Sequence, residues 1–225
     1  MKLLVSALEH SANIHLASLK KELGDEVEMI GVFDNELGES IVDLRSLAIM
    51  GFVDAILKLR FFFKLASQMV ELAKDADKIL LIDSSGFNLP LAKKIKKKYP
   101  HKEIIYYILP QAWAWKPKRI PVLERTIDRL ASILPFERDY YSKNAPIEYV
   151  GHPLLDQISS FKESLDEKSG AVVFMPGSRK GEIKKLMPIF KEVAQKLNRS
   201  SVVVVPKHFS KEDIQELYGN LAGFK

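Results

Sequence analysis

The chain alternates short, nearly continuous apolar runs with longer stretches whose apolar positions recur every three or four residues. The runs at 3–7, 29–33, 79–82, 104–108, 131–134 and 147–150 predict strands, and the periodic stretches at 14–23, 52–74, 89–98 and 117–126 predict helices. Apolar strands separated by helices indicate a parallel sheet covered on both faces. The segment 156–168 is charged and lacks apolar runs, so it predicts a linker. Beyond it the pattern resumes with a strand at 171–175, a turn at 176–181, a helix at 182–197, a strand at 201–205 and a helix at 211–217. The expected class is therefore α/β, with one Rossmann-like unit over 1–160 and the start of a second over 169–225. Two strands form too small a sheet to be stable alone, so the second unit reads as incomplete.

Composition narrows the class. Across 225 residues, 47% hydrophobic and 28% charged residues exclude a disordered chain. The absence of cysteine excludes disulfides and thiolate metal sites, and the five histidines show no metal-ligand spacing. The first apolar run meets polar residues too soon for a signal peptide, and no stretch reaches the roughly 18 uncharged residues of a spanning helix. The net charge of +5 is concentrated at Lys93-Lys94 and Lys96-Lys97-Lys98. That cluster suits a solvated helix face or an acidic membrane surface. With no nucleic-acid motif and no interleaved aromatics, nucleic acid is not an expected partner.

In open parallel sheets ligands bind at the carboxyl ends of the strands. Asp83 directly follows the apolar run Ile79-Leu80-Leu81-Ile82. It reads equally as a general base in a crevice or as the cap of the next helix. Pro176-Gly177-Ser178-Arg179-Lys180-Gly181-Glu182 joins a strand to a helix, as a phosphate site does: amides at a helix start, a glycine for close approach and an arginine. An ordinary capped turn is the alternative. No P-loop and no G-x-G-x-x-G occurs, which argues against ATPase and dehydrogenase chemistry. Asp75-Ala76-Asp77 precedes a strand, the wrong sheet edge for a metal-binding D-x-D, and reads as a helix-ending turn.

The stretch from Gly51 to Leu65 carries only Asp54, Lys58, Arg60 and Lys64 as charges, and Phe61, Phe62 and Phe63 are consecutive. Part of such a helix must face the sheet. The surplus predicts an interfacial helix with Phe52, Val53, Ile56, Leu59, Phe62 and Phe63 as membrane contacts. Burial between domains or in a homodimer is the alternative.

Taken in order, Ile49-Met50-Gly51, Asp83 with Phe87-Asn88, Trp113-Ala114-Trp115 with Lys118-Arg119, Leu134-Pro135-Phe136-Glu137, Gly151-His152, and Pro176-Gly177-Ser178-Arg179 with Glu182 resemble lipid-A-disaccharide synthases. The resemblance implies a GT-B fold, two Rossmann-like domains facing across a cleft. It implies an inverting glycosyltransferase that moves 2,3-diacylglucosamine from UDP-2,3-diacylglucosamine to 2,3-diacylglucosamine 1-phosphate, forms a β-1,6 link and releases UDP. No metal or other cofactor is implied. Peripheral attachment to the inner face of the inner membrane of a Gram-negative bacterium is. On this basis Asp83 is the expected base. Glu9, Ser11, Asn88, Trp115, Arg119, Glu137 and His152 are expected to contact substrate, and Gly177, Ser178, Arg179 and Glu182 to hold the nucleotide phosphates. The loop Leu8-Glu9-His10-Ser11-Ala12-Asn13 keeps only the Glu and Ser of the family's Gly-Glu-Thr-Ser-Gly-Asp.

Family members continue well beyond this length, so the nucleotide domain is expected to be only begun here, with little or no activity in these 225 residues alone. Two rivals are a UDP-sugar epimerase of similar two-domain design and a non-catalytic membrane- or lipid-binding fragment.

Overall fold

A computed structural model describes residues 1–42, 55–158, 170–197, 199–206, 209–221 and 223–224. It divides into two compact units, Met1–Ser159 and Ser160–Lys225. The expected linker lies largely outside the described residues, as do Ile49-Met50-Gly51, Phe52, Val53 and the side chain of Ile56.

The first unit is a six-stranded parallel sheet. Its strands are β1 (Lys2–Ser6), β2 (Glu28–Val32), β3 (Lys78–Ile82), β4 (Glu103–Tyr107), β5 (Arg129–Ser132) and β6 (Ile147–Tyr149), in the order β2-β1-β3-β4-β5-β6. The helices are α1 (His10–Leu23), α2 (described from Ala55 to Leu72), α3 (Ser85–Lys98), the single turn α4 (Ala112–Trp115) and α5 (Ile120–Thr126). Side chains alternate across the sheet. Leu4, Ile79, Leu81, Ile104, Tyr106 and Leu130 pack under α2, α3 and α5 through Leu65, Met69, Leu91, Ile95 and Leu123. On the other face Leu3, Val5, Leu80 and Ile82 meet Ala12 and Leu16 of α1. Each fully buried leucine or isoleucine contributes about 1.5–3 kcal/mol relative to exposure, so this double-sided core is what holds the strand ends in place.

One glycine is obligatory for the sheet. Gly31 pairs with Val5 at a φ of 124°, and a Cβ there would lie 2.2 Å from the Val5 carbonyl oxygen.

Several expected boundaries move for local reasons. The sheet takes in Arg129 at the start of β5 because its main chain pairs with Ile105 and its side chain meets Glu103 at 2.7 Å. The helix expected from Leu89 begins four residues earlier, at Ser85. The helix expected over 117–126 is a 3-10 turn at Pro117–Arg119 followed by α5. Asp75 lies in the turn that ends α2, its amide donating to the Leu72 carbonyl at 3.1 Å, while Asp77 joins that turn to β1: its carboxylate accepts from the Lys2 amide at 2.7 Å, and its own amide donates to the Lys2 carbonyl at 2.8 Å.

The second unit comprises β7 (Val172–Phe174), α6 (Lys180–Lys196), β8 (Ser201–Val203) and α7 (Lys211–Tyr218), with β7 and β8 parallel. Ile183, Met187, Leu217 and Tyr218 form its core. Ser210 caps α7 in a reciprocal capping box with Asp213.

Candidate active site

The chain makes three left-handed excursions at residues other than glycine among the described residues: Asp83 (φ 49°), Ser84 (φ 43°) and Ile108 (φ 59°). All three lie at the carboxyl ends of β3 and β4. Such conformations cost on the order of 1–3 kcal/mol each and persist only where the surroundings enforce them. Here they are enforced. The Asp83 amide donates to the Tyr107 carbonyl at 3.2 Å. The Asp83 carbonyl accepts from the Asn88 side-chain amide at 2.8 Å and from the Tyr106 hydroxyl. Asn88 also donates to the Ile82 carbonyl at 3.1 Å, and its oxygen accepts from Ser6 Oγ at 2.7 Å.

This geometry speaks against the cap reading of Asp83. The residue at the cap of α3 is Ser84, and no side-chain capping bond is made there, so Asp83 is not a helix cap. Its carboxylate instead lines a cleft of about 590 Å³ with Leu8, Glu9, Leu59, Phe62, Ser84, Ser85 and Phe87. The cleft is polar along the strand ends and apolar along α2 and α3.

Glu9 stands at the cap of α1 and accepts from Ser84 Oγ at 3.3 Å, so the loop after β1 reaches the Asp83 turn. That loop is held by Asn13. Its amide donates to the carbonyls of Ala7 and Glu9 at 2.8 and 2.9 Å, and its oxygen accepts from the Asp34 amide at 2.7 Å. Arg119 donates from Nη1 to Ser85 Oγ at 2.7 Å. Its guanidinium lies 5.8 Å from the centre of the Trp115 ring, which is 65% exposed and also carries Lys116 Nζ at 4.1 Å. Glu9, Asp83, Arg119 and Trp115 thus form one chain of contacts through Ser84 and Ser85. Ser11 is exposed on the first turn of α1.

Two residues expected at the substrate have other work. Asn88 is fully buried, with both ends of its amide committed to Ser6 and the main chain. Glu137 is 2% exposed and accepts from Trp113 Nε1 at 3.3 Å and from Ser132 Oγ. Each braces a neighbouring segment: the Asp83 turn for Asn88, and the Trp113–Phe136–Tyr140 aromatic cluster for Glu137.

His152 follows β6, and its Nδ1 accepts from the Leu154 amide at 3.2 Å. Beside it is His15 of α1, whose pKa is lowered by burial and further by His152, and whose Nδ1 is buried without a hydrogen-bond partner.

The phenylalanine run divides. Phe61 and Phe62 pack against the core, with Phe62 5.9 Å from the Phe87 ring. Leu59 and Phe63 face outward at 58% and 57% exposure, and Lys94 Nζ lies 5.3 Å over the Phe63 ring. Phe62 is therefore half-buried in the cleft wall, with the exposed Leu59 bordering the same cleft and Phe63 turned away, because consecutive helical residues point about 100° apart. No described helix is long and apolar enough to cross a membrane. The lysine cluster is partly structural: Lys96 bonds Asp128 at 2.7 Å and Lys98 bonds Glu71 at 2.5 Å.

In the second unit Gly177 has a φ of 91°, and Arg179 stands at the cap of α6. Arg179 Nη1 meets Glu182 Oε1 at 3.0 Å. Glu182, expected among the phosphate contacts, pairs with that arginine. Gly177 and Ser178 are exposed on the same turn. Sequence reasoning missed Ser6, Tyr106 and Ser85. A serine closing the apolar run Leu3-Leu4-Val5 was the one available signal.

Residues 3–218 match the family model described as lipid-A-disaccharide synthetase. The lipid-A-disaccharide synthase of Helicobacter pylori (strain Shi470) is 52% identical over 222 residues, covering 96% of this chain and 60% of that protein. The lipid-A-disaccharide synthase of Campylobacter jejuni (strain RM1221) is 42% identical over 245 residues, covering 99% and 65%. The chain thus spans less than two thirds of the length of these relatives. In structure it is similar to UDP-GlcNAc 2-epimerase from Neisseria meningitidis bound to UDP-GlcNAc, with a TM-score of 0.55 at 11% identity over 96% of this chain and 69% of that one. That likeness carries the GT-B type of α/β fold and no chemistry, so the epimerase reading finds no support in it. By sequence match along nearly its whole length, the chain belongs to the lipid-A-disaccharide synthase family.

Proposed function

We propose that this protein is an inverting glycosyltransferase that joins two acylated glucosamines, taking 2,3-diacylglucosamine from its UDP derivative to 2,3-diacylglucosamine 1-phosphate. The observation that supports it best is the character of the Asp83 cleft: a carboxylate and hydroxyls on one side, Leu8, Leu59, Phe62 and Phe87 on the other. A sugar hydroxyl fits the first wall and an acyl chain the second.

Asp83 takes the proton of the acceptor 6-hydroxyl as its oxygen attacks C1 of the donor sugar. The C1–O bond to UDP breaks on the opposite side, and the bonding pair leaves with UDP. A single displacement inverts the anomeric centre, so an α-linked donor gives a β link. The leaving diphosphate needs charge stabilisation, which the amides at the start of α6 and Arg179 supply on release from Glu182. Arg119 and Trp115 border the acceptor, whose phosphate Arg119 suits. Leu59 and Phe63, with Lys94 beside them, rest on the membrane surface while the acyl chains remain partly in the bilayer.

The test is disaccharide formation from both lipid substrates, measured in this chain and in a chimera that continues it with the remaining part of the Helicobacter pylori relative. Asp83→Asn should abolish turnover and leave the melting temperature in place. Disaccharide made at an undiminished rate by that variant would remove Asp83 as the base. Liposome binding with no disaccharide from either form would leave only the lipid-binding reading.

A further inference from the structure

The base reading of Asp83 leaves open what aims its carboxylate, since the residue sits in a left-handed backbone conformation that residues other than glycine adopt infrequently. We propose that Ser6, Asn88 and Tyr106 are positioning residues, a buried clamp on the main chain that fixes the direction of the Asp83 side chain.

The clamp has three members on three elements. Ser6 closes β1, Tyr106 lies in β4 and Asn88 in the first turn of α3, and all three are fully buried. Two of them meet on one group, the Asp83 carbonyl oxygen, which accepts from Asn88 Nδ2 at 2.8 Å and from the Tyr106 hydroxyl, and the third acts through Asn88. Ser6 fixes which way the Asn88 amide faces, because its hydroxyl donates to Asn88 Oδ1 and leaves Nδ2 to point at the main chain. The carbonyl direction and the side-chain direction of Asp83 are linked through one Cα. With the carbonyl gripped and the amide bound to the Tyr107 carbonyl, φ stays at 49° and the Cβ has one available heading, into the cleft. Relaxation of φ to the ordinary negative region would swing the carboxylate away from that heading. Burial, with the Asp83 charge adding to it, pushes the Tyr106 phenol well above its ordinary pKa. The hydroxyl is therefore a donor at every working pH.

The inference rests on Asp83 being the base, and the experiment separates the two. Tyr106→Phe keeps the ring and its packing and removes only the donor. It should lower kcat by about ten- to a hundredfold, as displacement of a reacting group does, with KM within about twofold. In an Asp83→Asn background the same substitution should change the residual rate by less than about twofold, because a residue acting through another has nothing left to position. Asp83 and Ser84 ¹³Cα shifts, which report φ and need no turnover, should move away from left-handed values in Tyr106→Phe. Ser6→Ala should move them the same way. Equal losses in both backgrounds, a loss confined to KM, or unmoved shifts would overturn the clamp. Full activity in Asp83→Asn alone would instead remove the base, and the positioning role with it. Shifts can be read in the 225-residue chain even where no disaccharide forms.

Discussion

Arg119 Nη1 donates to Ser85 Oγ at 2.7 Å, tying the turn that follows α4 to the first turn of α3. The contact brings a cation from one sheet connection to the serine two residues beyond Asp83. Arg119→Ala should lower kcat/KM by about ten- to a hundredfold, the loss of a charge-assisted contact, with little change in melting temperature. Arg119→Lys should recover only part, because an ammonium lacks the planar fork that reaches a hydroxyl and stacks on Trp115 together. Steady-state kinetics with varied acceptor check both.

Leu59 and Phe63 are exposed on α2, Leu59 at the rim of the cleft, whereas Phe62 is half-buried in its wall. The double substitution Leu59→Ser with Phe63→Ser should weaken sedimentation with anionic liposomes by tenfold or more, since each apolar side chain inserted contributes about 1.5–3 kcal/mol. Phe62→Ser should leave sedimentation closer to normal and impair turnover. The reverse ranking would move the membrane contact elsewhere.

At Gly177 an added Cβ would lie 3.0 Å from Glu182 Oε2, at a φ of 91° that side chains rarely adopt. Gly177→Ala should therefore disturb the Arg179–Glu182 pair and weaken UDP binding by about tenfold, read by calorimetry. Arg179→Ala should weaken it at least as much. Undiminished binding by both would remove this turn from the nucleotide site.

His15 has its pKa lowered, by burial first and by His152 second. It is neutral in the folded chain at a pH where the unfolded chain has begun to charge it. The folded state therefore binds fewer protons. The stability that follows is present above the ordinary histidine value of about 6.5 and is lost as pH falls through the lower folded value. Thermal unfolding between pH 8 and pH 5 should show that loss, and His15→Gln should flatten the profile. An NMR titration of His15 with a midpoint at or above 6.5 would contradict it.

The sheet was legible because its strands are apolar on both faces, a pattern that few other arrangements produce. Strand ends were less so: Arg129 belongs to β5 through main-chain pairing, which side-chain polarity hides. At the site, Asp83, Glu9, Arg119 and Trp115 were visible as polar or aromatic residues following strands, and the structure links them. Asn88 and Glu137 were read as ligand contacts because polar residues near a site look alike in sequence, and only burial tells support from contact. Ser6 and Tyr106 lay inside strands, where a hydroxyl carries no sequence mark of the carbonyl it reaches. The Asp83 backbone was invisible for a related reason. Nothing in Asp83-Ser84-Ser85 marks the buried Asn88 and Tyr106 donors that hold the Asp83 carbonyl.

The donors that grip Asp83 come from β4 and the start of α3, and the α3 donor is itself held by Ser6 of β1, so the grip spans interior strands of a six-stranded sheet. In native-state hydrogen exchange, the Asp83 amide should then open only with the sheet itself, among the slowest in the first unit. The main chain that carries the Asp83 carboxylate is accordingly as rigid as the core, so local loosening does not redirect it.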